Sequence, residues 1–385
     1  GPTSQTNFDA HIATDGEILK IGDVTIQVLH TPGHTMVSSS FLLRDENGKD
    51  YAIFTGDTLF LGDVGRPDLA IKQGEITEAD LAGFLFDSLR TKIMPLADEV
   101  IVYPGHGAGS ACGKKMSKDT WGYLGDQKKF NYALREDMTK DEFVKEVLTG
   151  LVAPPQYFPK NAVMNKMGYE SIDTVRERGV QALSVRAFKA AWAEEEALVI
   201  DTREPDAFAA GFIPGTIYFG LDNTFGPWVG TLISDLKKPI LFIAEEGKEE
   251  EVVIRLSRVG YDNTIGFLEG GFAAWQKAGE EVDTIEELTA NEFAEQFDNI
   301  ENALDVRRAS EFNAEHIKGL INFPLDFINT KMHLLERNKK YYLHYAGGHR
   351  SVLAASILKA RGFDQVVNLK GGYKDLTETN LERTE

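Results

Sequence analysis

The sequence predicts an α/β chain of several domains, and three observations lead to this prediction. Its 385 residues exceed what one hydrophobic core usually organises, so two or three domains are expected. From residue 181 onward, short apolar runs alternate with helical segments in two successive copies, which is typical of parallel sheets covered by helices on both faces. Before residue 140, β-like runs end in polar clusters, which indicates loops gathered at one edge of a sheet.

The first segment, residues 1–140, contains four runs that we predict to be strands. They are 24–29, 39–43, 51–55 and 100–103. Residues 141–180 combine apolar positions at helical spacing with a Pro154-Pro155 break and a polar stretch. We interpret them as a helical connector.

Residues 181–284 and 285–385 are two copies of one unit. Each copy begins with a helix entry capped by Ser184 or Thr289 and continues with an apolar strand that ends in Asp and Arg. The blocks "ALVIDTREPDAF" and "ALDVRRASEF" show this opening, and "FLEGGFAAW" and "NLKGGYKDL" close the two copies. These ordered blocks resemble the rhodanese family, which implies two parallel α/β domains.

In the rhodanese family, a cysteine in the loop before the central helix carries the persulfide. Alignment of the blocks places that position at Glu245 in the first copy and at Tyr345 in the second. Neither side chain can form a persulfide, so we expect both domains to lack sulfurtransferase activity. The glutamates that follow Glu245 would also repel an anionic sulfur donor, so a structural or interface role is expected for the first copy.

The second copy keeps other features of an anion-binding loop in "HYAGGHRS", which follows an apolar run and precedes a helical stretch. Gly347, Gly348 and Arg350 are the residues that we predict to bind an anionic ligand. Backbone N–H groups at a helix N-terminus attract negative charge, and a closing arginine adds to that attraction.

Four motifs occur in order within the first segment: "HTPGHT", "FTGDTLF", "GDVGRPDL" and "YPGHG". They resemble the metallo-β-lactamase fold, and the rhodanese tandem behind them favours its persulfide dioxygenase branch. The resemblance implies a partial αββα sandwich with His34 and Asp57 as metal ligands. Imidazole and carboxylate ligands with open positions suit non-haem Fe(II). His106 matches a ligand of the second metal in the binuclear hydrolases of this fold, whereas in the dioxygenases it lies outside the ligand set.

The family's leading HxHxDH motif is not found upstream of "PGHT" in this sequence. We therefore expect residues 1–140 to be the C-terminal portion of the domain and to supply only part of the iron ligand set. Activity is then expected to belong to a longer parent protein.

Cys112 lies in "GSACGKKM", just after the loop of His106. The neighbouring Lys114 and Lys115 and the flanking glycines predict a lowered thiol pKa and a catalytic role at the substrate site. The alternative is that this lone cysteine is a small buried hydrophobic residue.

Lys128, Tyr132 and Arg135 in "QKKFNYALR" are candidates for binding the carboxylates of a thiol carrier such as glutathione. They could equally form the polar face of a helix.

Composition excludes several classes of partner. The net charge of −19 repels nucleic acid and anionic lipid, and the sequence has no apolar run long enough to span a membrane. It also lacks a charged and then apolar leader, and its single cysteine rules out an internal disulfide. We therefore expect a cytoplasmic protein, a homo-oligomer, with no nucleic acid and no membrane as a partner.

The leading hypothesis is an Fe(II)-dependent enzyme of sulfide detoxification that oxidises a small-molecule thiol persulfide to sulfite. The rhodanese domains would then bind a sulfur carrier or serve a structural role. One alternative is a zinc hydrolase of the glyoxalase II type that cleaves a thioester, with His106 as a ligand. The other is a non-catalytic scaffold.

Overall fold

The computed structural model describes residues 1–2, 4–69, 75–110, 112–151, 158–347 and 349–384. The chain divides into two compact units, Gly1–Tyr169 and Glu170–Glu385. Within the described residues, no helix is both long and apolar enough to cross a membrane.

The first unit is built around a six-stranded sheet whose strands lie in sequence order. The strands are β1 Ile18–Ile21, β2 Val24–His30, β3 Ser39–Arg44, β4 Asp50–Gly56, β5 Ile101–Pro104 and β6 Gly122–Tyr123. The pairing of β4 with β5 is parallel, and the other pairings are antiparallel. The four predicted strands are therefore present, each with ends within two residues of the prediction.

The helices of the first unit are α1 Glu78–Ser88, α2 Leu124–Phe130, α3 Lys140–Leu148 and α4 Phe158–Met167. Thr77 and Thr139 begin α1 and α3 with capping boxes, which satisfy backbone N–H groups that a helix start leaves unpaired. Side chains from α1 and α3 join sheet residues such as Leu42 and Ile53 in one hydrophobic core. This core covers one face of the sheet and fixes the loops at its edge.

The opposite face of this sheet, here called the outer face, is apolar and accessible to solvent. Phe41, Phe54 and Tyr103 are cross-strand neighbours on β3, β4 and β5, and the rings of Phe54 and Tyr103 stack with centroids 5.4 Å apart. Phe41 and Phe54 remain 38% and 42% exposed, and Tyr123 on β6 is 46% exposed. Exposed apolar area of this kind marks an interaction surface.

The second unit contains two parallel five-stranded sheets with the same strand order. In the first repeat the order is β7-β11-β10-β8-β9, and in the second it is β12-β16-β15-β13-β14. The first set is β7 Ala182–Leu183, β8 Leu198–Asp201, β9 Ile217–Tyr218, β10 Ile240–Ile243 and β11 Thr264–Leu268. The second set is β12 Glu286–Leu288, β13 Ala303–Asp305, β14 Ile321–Asn322, β15 Tyr341–His344 and β16 Val366–Leu369.

Helices alternate with these strands, as the sequence repeat predicts. The first repeat has α5 Ile172–Gly179, α6 Val185–Glu194, α7 Pro205–Ala210, α8 Phe225–Leu232, α9 Glu249–Ser257 and α10 Gly271–Lys277. The second has α11 Ala290–Gln296, α12 Ala309–Ala314, α13 Ile328–Lys331, α14 His349–Ala360 and α15 Gly372–Leu376. Ser184 and Thr289 cap α6 and α11, as predicted.

The two repeats share one hydrophobic core, and α14 lies at its centre. Every residue from Ser351 to Leu358 is buried, and Leu353 and Ile357 belong to the same cluster as Phe219 of the first repeat. Ser356 Oγ also accepts a hydrogen bond of 3.0 Å from the backbone N–H of Tyr218, at the edge strand β9. The central helix of the second repeat thus packs against the first repeat.

Candidate metal centre

Asp57 and His106 meet because they follow two adjacent parallel strands. Asp57 comes directly after β4 and His106 follows β5, so both lie at the carboxyl edge of the sheet. The N–H of Gly105 donates to the carbonyl of Gly56 at 2.8 Å. A Cβ at position 105 would lie 2.6 Å from Asp57 Oδ1, so a glycine is needed for this close approach.

The carboxylate of Asp57 lies between two histidines, one on each oxygen. His106 Nδ1 is 2.8 Å from Oδ1, and His34 Nε2 is 3.3 Å from Oδ2. His34 Nδ1 is 2.8 Å from the carbonyl oxygen of Arg66, which can only accept a hydrogen bond, so in the neutral ring Nε2 is the nitrogen that carries the lone pair. The side chains of His34 and Asp57 are mostly buried, whereas that of His106 is 46% exposed.

Cys112 joins this group on the His106 side. One donor atom each from Asp57, His106 and Cys112 lies within 4.8 Å of the other two. The carbonyl of Cys112 accepts a 2.9 Å hydrogen bond from the N–H of Arg66, so Arg66 anchors the loops of both Cys112 and His34.

The prediction of a lowered thiol pKa at Cys112 is wrong. The residue is buried, and burial together with the charge of Asp57 raises the pKa of its thiol. The ammonium of Lys114 lies elsewhere, because its Nζ donates to the carbonyls of Glu146 and Thr149. The sequence placed a positive charge beside the cysteine, but the fold turns that side chain away.

Asp63 is a structural residue of the site that the sequence analysis did not single out. Its fully buried carboxylate accepts hydrogen bonds from the backbone N–H groups of Val64 and Lys115, at 2.8 and 2.6 Å, and from the hydroxyl of Tyr132. It therefore ties the loop of Cys112 to the loop after β4. Its position inside the motif "GDVGRPDL" was the available signal.

The three residues predicted to bind a thiol carrier each contact an aspartate in the structure. Lys128 Nζ is 2.7 Å from Asp98, and Arg135 pairs with Asp137. Tyr132 donates to Asp63 at 3.1 Å, and its burial raises the pKa of the phenol, so it remains a donor. Each side chain has its own internal partner, and binding of a thiol carrier by these residues stays a prediction.

The residues around Asp57 fit a metal ion. They offer imidazole nitrogen, carboxylate oxygen and thiol sulfur, which are the donor types that bind Zn²⁺ and Fe²⁺ in proteins. The hydrogen bond from His34 to Arg66 orients that imidazole in the way metal-binding histidines are usually held. His34, Asp57 and His106, the predicted metal ligands, are brought together around one carboxylate.

The structure corrects the cysteine position in the first repeat from Glu245 to Ala244. Ile243 pairs with Asp201 across β10 and β8, and His344 pairs with Asp305 across β15 and β13. Since the two aspartates are equivalent, the residue after Ile243 corresponds to Tyr345.

The glycines that close each repeat indicate the same equivalence between Ala244 and Tyr345. A Cβ at Gly271 would approach the carbonyl oxygen of Ala244 at 3.4 Å, and a Cβ at Gly372 would approach that of Tyr345 at 2.3 Å. Ala244 therefore occupies the nucleophile position, and like Tyr345 it cannot form a persulfide.

The predicted anion-binding loop of the second repeat is occupied by an aromatic stack. The guanidinium of Arg350 lies 4.2 Å from the ring of Tyr345 and 5.0 Å from that of Trp228, on α8 of the first repeat. Gly347 is exposed and has open space around it, and Gly348 lies outside the described residues. Binding of an anion by this loop stays a prediction.

Comparisons with known proteins find similarity in both parts of the chain. The family model for the rhodanese-like domain matches residues 184–278 and 289–379. A solved metallo-β-lactamase from Staphylococcus aureus subsp. aureus COL is 28% identical, covers 69% of this chain and 72% of its own, and has a TM-score of 0.57.

Curated relatives match single parts. Hydroxyacylglutathione hydrolase GloC of Haemophilus influenzae is 39% identical over 101 residues, which are 26% of this chain. The putative sulfur carrier protein YrkF of Bacillus subtilis is 32% identical over 104 residues, also 26% of this chain. The chain spans 42% and 56% of the lengths of these relatives.

These matches, with the two sheet topologies, define a class of architecture. The chain carries a metallo-β-lactamase-fold unit fused to two rhodanese-like domains. The predicted fold class, an α/β chain with this domain order, is confirmed.

Proposed function

We propose that the protein oxidises the terminal sulfur of a low-molecular-weight thiol persulfide to sulfite in an iron-dependent reaction. The observation behind this proposal is the convergence of His34 and His106 on Asp57 in a chain that also carries two rhodanese-like domains. Rhodanese domains transfer sulfane sulfur through a persulfide on a cysteine, and both copies here lack that cysteine. The persulfide chemistry is therefore assigned to the metal centre.

When bound, Fe(II) would supply the activation of dioxygen. His34 and the Oδ2 side of Asp57 would hold the metal, with the His34 ring fixed by the carbonyl of Arg66. If His106 donates from Nδ1 to Asp57, Nε2 of this partly exposed side chain carries the lone pair and can accept the proton of a persulfide S–H. Dioxygen and water are consumed, and the thiol and sulfite are released.

The rhodanese-like repeats are proposed to bind or position a sulfur carrier, or to hold the assembly together. The relative named as a sulfur carrier supports the first role, and the shared core around α14 supports the second. A glutathione-like carrier is proposed because one relative, hydroxyacylglutathione hydrolase GloC, is named for an acylglutathione substrate.

The same relative favours a second candidate function, a zinc-dependent thioester hydrolase. In that case His106 is a metal ligand, and the contact of its Nδ1 with Asp57 Oδ1 places it next to the shared carboxylate.

Metal content and oxygen uptake separate the two functions. The purified protein that carries this chain is expected to hold about one iron per chain and to consume oxygen with glutathione persulfide. His34→Ala and Asp57→Ala should each abolish iron binding, whereas His106→Ala should keep the iron and slow turnover. Two zinc ions per chain, with thioester hydrolysis and no oxygen uptake, would overturn the dioxygenase proposal in favour of the hydrolase.

A further inference from the structure

A cavity of about 180 Å³ lies between the two rhodanese-like repeats. Leu198 and Ile217, the first residues of β8 and β9, line it from the first repeat, and Ile357 of α14 lines it from the second. Because β8 and β10 are parallel and Ala244 follows the carboxyl end of β10, the cavity lies at the opposite edge of the sheet from Ala244. It is therefore separate from the loops that hold the rhodanese nucleophile positions.

The floor of the cavity is apolar. Its buried side chains are Ile217, Phe219, Leu232, Ile233 and Ile357. An apolar cavity of about 150 Å³ accommodates benzene, so this cavity has room for a hydrocarbon body of roughly six to eight carbons. Such a body would leave water for an apolar surface, which is the main source of affinity in small-molecule sites.

The mouth of the cavity is charged. Asp235, Lys238 and Arg361 line it, and their side chains are exposed or half-buried. Asp235 Oδ1 accepts a 2.9 Å hydrogen bond from the N–H of Lys237, so this carboxylate is engaged with its own turn. Within the described residues, neither Lys238 nor Arg361 forms an ion pair. Two cations and one carboxylate give the mouth a net charge of +1, which matches a ligand with a single negative charge.

Hydrogen bonds between the repeats hold the walls of the cavity. Asn329 Nδ2, on α13, donates to the carbonyl of Leu232 at the end of α8, at 2.8 Å. The bond from the N–H of Tyr218 to Ser356 Oγ joins β9 to α14 on another wall. The cavity is thus formed before a ligand enters, and little ordering is left for the ligand to impose.

We propose that this cavity binds a medium-chain aliphatic monocarboxylate. The hydrocarbon body lies on the apolar floor, and the carboxylate accepts charge-assisted hydrogen bonds from Lys238 and Arg361 at the mouth. The ligand contacts both repeats, so its binding stabilises their shared core. The proposal involves neither the metal centre nor the reaction assigned to it.

Calorimetric titration of the 385-residue chain with octanoate tests the site. Octanoate is expected to bind saturably at a single site. Acetate, which has the charge without the hydrocarbon body, should not bind. Octanamide keeps the body but lacks the charge, and it should bind at least about tenfold more weakly, since a hydrogen bond to a charged group contributes roughly 1.5–3 kcal/mol.

Three variants locate the ligand within the chain. Lys238→Gln should weaken octanoate binding by roughly tenfold. Lys237→Gln is the matched control, because this exposed neighbour does not line the cavity and the variant loses the same charge; it should bind octanoate as the parent does. Asp235→Asn should bind octanoate more tightly, since it removes a like charge from the mouth. Circular dichroism checks that each variant folds.

Three results would overturn the proposal. The first is the lack of saturable octanoate binding by the unmodified chain. The second is equal affinity for octanoate and octanamide, which would show that the charge is not recognised. The third is equal octanoate affinity in Lys238→Gln and Lys237→Gln, which would mean that the ligand binds elsewhere, such as on the outer face of the first sheet. None of these results bears on the iron proposal, whose own failure would appear as absent iron and absent oxygen uptake.

Discussion

The two rhodanese-like repeats share one backbone plan but surround their equivalent buried aspartates differently. Asp201 and Asp305 end the equivalent strands β8 and β13, and each forms a bidentate pair with the arginine two residues later, Arg203 or Arg307. Each arginine also lies over an aromatic ring of the closing helix. The strand end is therefore stabilised in the same way in both copies.

The surroundings of the two aspartates differ at the neighbouring strand, which is β10 in the first repeat and β15 in the second. His344 Nε2 is 3.3 Å from Asp305 Oδ2, whereas the first repeat has the hydrocarbon side chain of Ile243 beside Asp201. Burial raises the pKa of Asp201 despite its arginine. Burial also acts on Asp305, but the interactions with His344 and Arg307 outweigh it and lower the pKa to about 2. The shift therefore has opposite directions in the two repeats, and the imidazole of His344 is present only in the second.

The central helices differ as well. The helix α9 carries Glu249, Glu250 and Glu251 in its first turn, and Glu250 pairs with Arg176 on α5. The helix α14 has Arg350 near its start and is buried along most of its length. The repeat with the cationic loop is therefore also the repeat whose helix is fixed within the shared core.

The largest expected difference between the repeats is in sulfur chemistry. We expect the present chain to show no thiosulfate sulfurtransferase activity, and Tyr345→Cys to create some. The new thiolate would lie at the N-terminus of α14 and next to Arg350, and both stabilise negative charge. Ala244→Cys should form no persulfide, because its loop leads into glutamates.

Persulfide formation with thiosulfate, measured by mass spectrometry in a Cys112→Ser background, tests this prediction. A folded Tyr345→Cys variant that forms no persulfide would show that the loop no longer binds the donor. Equal reaction of both variants would show that the cationic loop makes no difference.

The next largest effect concerns stability. Arg203→Met leaves Asp201 buried without a cationic partner among the described residues, and we expect it to lower the free energy of unfolding by about 3–5 kcal/mol. Arg307→Met should cost less, because His344 remains beside Asp305. Urea unfolding at neutral pH measures both variants, and equal losses would show that His344 does not compensate.

The smallest effect is a change in acid sensitivity. The folded-state pKa of Asp305 lies below its ordinary value of 3.8, so this carboxylate stabilises the fold above that pH, and the contribution is lost as pH falls from about 4 to about 2. His344→Ile, which copies the first repeat, should raise the pKa of Asp305 and shift this loss to higher pH. A change of one unit in the pKa of Asp305 corresponds to about 1.4 kcal/mol in the free energy of unfolding.

Unfolding measured between pH 2 and 5 detects this shift. Ile243→Val in the first repeat is the matched control, and its curve should keep the shape of the parent's. A similar shift in both variants would mean that the histidine is not responsible.

Sequence patterns predicted the sheets and the convergence of the site well, for physical reasons. Strand-like runs and capping residues such as Thr289 act locally, so their signals are present in a few neighbouring residues. Asp57 and His106 were predicted together because each follows a strand in a recognisable motif.

The errors concern contacts between distant residues. The position of Ala244 depends on strand pairing with Asp201, and block alignment placed it one residue away. The thiol pKa of Cys112 depends on where the side chain of Lys114 points, and that direction is set by carbonyls near the end of α3. Apolar and small residues lie on all sides of α14, and this pattern indicates a buried helix. The strand that it contacts, β9, is far away in sequence, so the pattern does not indicate that partner.

The outer face of the first sheet sets the colloidal behaviour of this acidic chain. At low ionic strength, the net charge of −19 keeps copies apart and counters the attraction between rings such as Phe41 and Phe54. Raising the salt from 0.1 M to 1 M shortens the range of that repulsion from about 10 Å to about 3 Å. The aromatic attraction remains, so added salt should drive copies of the chain to associate through this sheet.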